Sequence, residues 1–328
     1  MSLPPLIPRA TLFGNPQRSR PRLSPAGKNL AYIAPDANNV LQVWLQPPGG
    51  SDRQLTQDKK RGIRSFFWTY QDNRLIYLQD ADGDENFHLY LVDIVTGLVR
   101  DLTPFEGVKA SPIDLDPDFP DAALVSLNLR DRQKFDVYRV NLTTGAVEFN
   151  TDNPGNILSW TADAQFQIRA ATAATPDGGS ELLYRSTPEA EWESLRRWGP
   201  DDEGGAVGFS KDGNTLYLVG THDANAQRFI ALDLTTRSET VIAADPQYDV
   251  GSIETHPTER TVQAVSFYKD KEEWTILDES IRADFDAIAQ IRPGQFAIGS
   301  RTLSDDQWLV AYLTDDGPVY YYQYNRPS

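Results

Sequence analysis

Six residues within the stretch from 80 to 88 concentrate much of the chemistry in this 328-residue sequence: Asp80, Asp82, Asp84, Glu85, Asn86 and His88. A basic group, Lys59, Lys60, Arg61 and Arg64, lies just upstream. Carboxylates so arranged can hold a cation, receive an ammonium group or cap backbone amides, and arginine presents a fork of donors that suits a carbonyl or carboxylate. The D-x-D-x-D alternation invites a calcium reading. The EF-hand pattern fails, however, because its sixth position is Glu85 rather than glycine and its twelfth is Leu91 rather than glutamate. No metal site and no cofactor are therefore expected. Arg61, Arg64, Asp82, Asp84, Glu85, Asn86 and His88 form a candidate substrate- or interface-binding set, with no catalytic residue among them. The alternative for the same residues is a solvated, tightly turned loop.

Other chemistries are excluded by composition. No cysteine is present, which removes disulfides, thiolate nucleophiles and cysteine-bound metals. Lys and Arg number 31 against 47 Asp and Glu, a net charge of −16. That balance argues against nucleic acid and anionic membranes, whose phosphates need clustered cations. Met1 to Pro8 shows no charged region followed by a long apolar one, and no run approaches the roughly 20 apolar residues of a membrane helix. A cytoplasmic protein is the expectation.

The elements that must position the charged cluster come from a repeat. A strand-like segment with an apolar anchor recurs at Trp44, Tyr90, Tyr138, Tyr184, Ile230, Trp274 and Tyr321, spaced by 44–48 residues. A second series of Val-, Ile-, Leu- and aromatic-rich runs precedes it, beginning at Leu30, Leu75, Leu124, Phe166, Leu216, Val262 and Trp308. Polar turns such as SPAGKN at Ser24 and SKDGN at Ser210 stand before most of these runs, where Asp, Asn and Gly favour tight reversals. A further apolar segment before each turn and a short strand after each anchor complete the unit. Four antiparallel strands per unit of roughly 40–50 residues is the blade of a β-propeller. Stacking in a circle buries the faces that a lone blade leaves exposed.

The expected fold is therefore all-β, a seven-bladed β-propeller of four-stranded antiparallel blades. Residues 1–19 form an N-terminal extension, and 20–328 divide into blades at 20–57, 62–105, 108–152, 155–198, 204–245, 249–291 and 294–328. DESIRADFDAIAQI (Asp278 to Ile291) places Ile281, Phe285 and Ile288 at helical spacing and reads as a helical insertion in blade six. The aromatic anchors are assigned to packing between blades, and His222 and His256 to surface or turn positions. The last blade reads as incomplete. Either the segment around Thr11 to Phe13 fills its edge or the chain continues, the second being favoured because open edges are rarely left unprotected. The connection holding the acidic cluster shares a face with the links between blades, so acidic and basic groups should be neighbours.

IPRATLFGNP (Ile7 to Pro16), RPRLSPAGKNLAYIAP (Arg20 to Pro35), DKKRGIRSFFW (Asp58 to Trp68), DADGDENFHLY (Asp80 to Tyr90) and RDLTPFEGV (Arg100 to Val108) resemble the N-terminal propeller of S9-family serine peptidases, which include the prolyl oligopeptidases and acylaminoacyl peptidases. The resemblance implies a following α/β-hydrolase domain with a Ser–Asp–His triad and a G-x-S-x-G elbow. No such motif occurs in these residues; GFSKD at Gly208 lacks the second glycine. The expectation is a non-catalytic propeller, with no enzyme activity of its own, that gates access to the hydrolase domain and helps select short peptides. Its partners would be that domain and the peptides, with neither nucleic acid nor membrane. A stand-alone TolB-like propeller serving as a protein-interaction module is the rival.

Overall fold

Leu30–Pro35 and Leu41–Gln46 show why each repeat becomes a sheet. They pair antiparallel with Ala31 opposite Leu45 and Ile33 opposite Val43, so that four small or branched apolar residues share one face. All four are buried against Leu75, Tyr77 and Val92 of the next repeat. In the computed structural model, which describes residues 6–327, this pattern recurs around a ring of seven sheets.

Five blades have four strands in sequence order, the first innermost. Blade one pairs Ser19–Leu23, Leu30–Pro35, Leu41–Gln46 and Arg53–Gln54; blade two pairs Phe66–Trp68, Arg74–Gln79, His88–Asp93 and Val99–Asp101. Blade three comprises Ala110–Asp114, Ala122–Asp131, Lys134–Asn141 and Val147–Thr151, and blade four Ile157–Ala162, Ile168–Ala174, Ser180–Tyr184 and Glu193–Trp198. Blade five follows with Gly204–Phe209, Thr215–Gly220, Arg228–Asp233 and Glu239–Ala243. Blades six and seven have three strands each: Val250–Thr255, Val262–Tyr268 and Glu272–Ile276, then Gln295–Arg301, Gln307–Leu313 and Tyr320–Asn325. Among the described residues no helix is long and apolar enough to cross a membrane.

The seven-bladed ring and the short last blade agree with the sequence. Four details differ. Among the described residues blade six has no fourth strand; the 3-10 turn Glu279–Ile281 and the helix Arg282–Ile291 follow its third strand instead of being inserted into a complete blade. Ile281, Phe285 and Ile288 bury one face of that segment against Trp274 of blade six and Trp308 and Tyr312 of blade seven. Phe166 does not open a strand. It sits in the preceding turn at φ 59°, where its ring is buried and stacked on Phe119. Tyr321 points outward, 40% exposed, while its neighbours Tyr320, Tyr322 and Tyr324 pack on the helix cluster. Finally, Arg9–Phe13 is an exposed helical turn and not an edge strand for blade seven.

A buried ionic knot holds the end of blade seven to this helix. Arg326 pairs with Asp284 of the helix at 2.8 Å and with Asp305 at 2.6 Å. Asp305 also pairs with Arg301 at 2.5 Å and accepts from Trp308 Nε1 at 2.7 Å, while Tyr324 donates to Asp284 at 3.0 Å. Both carboxylates are almost inaccessible, so removing their shared cation leaves two buried charges short of a partner. Arg326→Met should therefore lower the unfolding free energy by about 2–4 kcal/mol, measured by urea denaturation. A loss below about 0.5 kcal/mol would mean the knot is solvent-screened.

Candidate functional site

Successive strands alternate in direction. The loops joining second to third strands therefore lie on the same face as the links between blades, and the turns joining first to second strands lie on the opposite face. On the link face of blade two the sequence-derived cluster is assembled. Lys60 Nζ meets Asp82 Oδ2 at 2.8 Å, and Arg61 Nε lies 4.0 Å from Asp80 Oδ2. Asp82, Gly83 and Glu85 take left-handed backbone angles, φ 56°, 95° and 61°, which fold the loop back on itself. The Arg61 guanidinium lies over Gly83, where a Cβ would meet it.

Hydrogen bonds sort these groups into committed and free. Asp84 accepts from the backbone of Ala81 and of Asn86 and from Asn86 Nδ2, each at 3.1 Å. The Asn86 side chain first, and the backbone donors with it, hold the Asp84 carboxyl below its ordinary range. Asp80 accepts from Glu85 N at 3.3 Å. Asp80 and Asp84 thus cap the loop. His88 Nδ1 is 2.8 Å from Asp101 Oδ2, and its ring stacks on Tyr90. The exposed side chains of Arg64 and Glu85 make no hydrogen bond or ion pair with the described residues. Arg64 precedes the innermost strand of blade two, so it stands at the rim of the central channel.

The opposite face holds a feature that the sequence did not reveal. Where the innermost strands of blades three to six end, a cavity of about 450 Å³ opens at the mouth of the channel. Its lining includes Tyr70, Asp114, Asp116, Trp160, His256 and Arg260. Asp116, 1% exposed, pairs with Arg260, 144 residues away in the chain. Burial pushes the neighbouring Asp114 carboxyl up to about 6; Arg260 opposes the rise and Asp116 adds to it. His256 Nδ1 accepts from the backbone of Thr258 at 3.3 Å and Glu259 at 3.1 Å, a turn-stabilising role. His222 is at the surface, 3.2 Å from Asp223. On the innermost strand of blade six, burial raises Glu254 to about 7 despite Arg301, with Glu272 and Asp305 adding to the rise. Among the described residues no group of three or more His, Cys, Asp or Glu is placed to hold a metal ion.

Two variants test this description. Gly83→Ala should cost about 1–2 kcal/mol, because an L-residue is strained at this φ, and should displace Arg61; denaturation equal to the parent's would contradict the loop geometry. For Glu254 the sign follows from its raised value. The folded state holds the proton more tightly than the unfolded chain does. Ionisation therefore costs folding free energy, a cost absent below the ordinary value of 4.5 and complete above about 7. Glu254→Gln should be more stable than the parent at pH 8 by about 1–3 kcal/mol, allowing for partial solvation, with the gap closing toward pH 4. A gap independent of pH would show that Glu254 is fully solvated.

No family model matches the chain. Two curated proteins align with 98% of it: dipeptidyl aminopeptidase BIII of Pseudoxanthomonas mexicana, 39% identical over 327 residues, and dipeptidyl peptidase family member 6 of Caenorhabditis elegans, 25% identical over 341. The chain spans less than half of each, 47% and 46%. A solved prolyl endopeptidase superposes on 95% of the chain with a TM-score of 0.69 at 12% identity, and the match takes in 48% of that enzyme. The likeness in structure shows the fold, and the sequence identity relates the ring to part of a dipeptidyl aminopeptidase. The chain is a seven-bladed β-propeller of the kind carried by S9 prolyl oligopeptidases, related over nearly all its residues to a propeller-sized portion of a dipeptidyl aminopeptidase.

Proposed function

We propose that this propeller gates access to, and helps select, peptide substrates for an S9-type serine peptidase, the bond cleavage belonging to a hydrolase domain outside these 328 residues. The observation that carries the proposal is the 39% identity to a dipeptidyl aminopeptidase across 98% of the chain, combined with coverage of only 47% of that relative. The residues in hand contain no G-x-S-x-G elbow. A ring of seven sheets around a central channel suits a filter that admits extended peptides and excludes folded domains.

The link-face cluster fits the docking or substrate-binding side of this task. Asp80 and Asp84 are occupied with backbone amides, and Lys60 with Asp82, so these groups shape the loop. Arg61 leans on the same loop over Gly83, while Asn86 and His88 are tied to Asp84 and Asp101. Arg64 and Glu85 remain to meet a partner. The arginine would receive a carboxylate or peptide carbonyl, and the glutamate an ammonium end or an arginine of the docked domain.

Three results are expected. The isolated chain does not turn over dipeptidyl or prolyl chromogenic substrates. Its gene, read past Ser328, continues into G-x-S-x-G followed by Asp and His. In that longer protein Arg64→Ala raises KM by about 5–30-fold, the equivalent of a contact of roughly 1–2 kcal/mol at this rim. Serine-inhibitor-sensitive activity in the isolated chain would overturn the non-catalytic assignment. A stop codon directly after Ser328 would favour the interaction-module reading, and unchanged kinetics and stability would leave Arg64 as ordinary surface.

A further inference from the structure

The cavity at the far mouth of the channel plays no part in the proposal above, and its polar groups are unevenly satisfied. Arg260 is committed to Asp116, and Lys211 is held by Glu259 at 3.0 Å. His256 uses its Nδ1 to fasten its own turn. Asp114 differs. It stands at the end of the innermost strand of blade three, and among the described residues no side chain donates a hydrogen bond to it. Its surroundings supply only the backbone N–H of Leu115 and the field of an arginine already engaged elsewhere. Burial without a dedicated partner keeps its ionised form costly, consistent with its value of about 6.

With its cations spoken for, the cavity offers no free site for an anion. What it presents is an under-compensated carboxylate, Asp114, in a lining that it shares with Tyr70, Trp160 and the exposed Asp118. Aromatic faces attract cations, and a desolvated carboxylate forms strong hydrogen bonds to an ammonium. A volume of about 450 Å³ also falls within the range typical of small-ligand sites, about 300–1,000 Å³. We propose that this cavity binds an organic ammonium group, from the free amino end of a short peptide or from a lysine side chain, with Asp114 as counter-charge and Tyr70 and Trp160 as walls. The proposal stands independently of the peptidase assignment, since it concerns binding by this chain alone.

Calorimetric titration of the chain with three probes tests it. Triglycine amide carries only a terminal amine, Nα-acetyl-lysine amide only a side-chain amine, and Nα-acetyl-norleucine amide neither. At pH 7.5 at least one amine probe should bind, which identifies the source, and the norleucine probe should not. Affinity should fall at least tenfold with Asp114→Asn and fall again at pH 5, where Asp114 is protonated; Asp223→Asn on the link face should change nothing. If Asp114→Asn fails to fold, hydrogen exchange of the parent should show protection confined to the cavity lining, residues 69–71, 110–118, 159–164 and 255–262, on adding the bound probe. Absence of amine binding, equal binding of the norleucine probe, insensitivity to a folded Asp114→Asn, or protection elsewhere would each overturn the proposal.

Discussion

Burial of apolar sheet faces between neighbouring blades is the constraint on which everything else in the molecule depends. Each of the first six junctions is filled by a cluster drawn from both sides. Leu124 and Val137 of blade three meet Ile168 of blade four, and Leu182 of blade four meets Leu216 and Ile230 of blade five. At the sixth junction a helix replaces a strand, yet Phe285 and Ile288 present the same kind of surface to Trp308 and Val310. The seventh junction is different. Among the described residues no comparable apolar cluster joins blade seven to blade one. That seam is tied instead by polar bonds, Leu23 N to Ser300 Oγ at 3.0 Å and Leu303 N to Pro25 O at 2.8 Å. Among the described residues no strand is exchanged across it.

This arrangement leaves the two ends of the channel with different chemistry. On the link face acids and bases from adjacent segments neutralise one another, and the loop of blade two is over-determined by hydrogen bonds. Such a surface is charged and internally paired, with a few side chains free at its rim. On the other face, turns from several blades converge on a cavity whose ion pair draws on residues far apart in the chain. The same ring thus supplies an internally paired polar platform at one end and a partly desolvated recess at the other. Blade seven ends in the strand Tyr320–Asn325, which among the described residues pairs on one side, and the Arg326 knot holds it in place.

Much of this was legible in the sequence because a repeat converts spacing directly into architecture. Trp44, Tyr90 and Tyr138 mark third strands, and the meeting of Lys60 with Asp82 follows from knowing which loops share a face. What failed were local substitutions within the repeat. Phe166 has the composition of a strand start, but the left-handed turn before the strand claims it. In VYYYQY the period of two puts Tyr320, Tyr322 and Tyr324 on one face and Tyr321 with Gln323 on the other, so the spacing of the anchors pointed to the tyrosine that faces out. The helical spacing after Asp278 was visible, but not that the helix would stand in place of a strand. Asp116 and Arg260 could not have been matched without the closed ring, since no local pattern links residues so far apart.

If apolar stacking builds the ring and polar bonds merely close it, the blades should not be equally tight. Native-state hydrogen exchange across a series of low denaturant concentrations measures this directly, strand by strand. Ser19–Leu23 and Gln295–Arg301, the innermost strands at the closing seam, should exchange through openings of clearly lower free energy than Ala110–Asp114 and Ile157–Ala162. Equal protection of all seven innermost strands, or a weakest point elsewhere in the ring, would contradict the account.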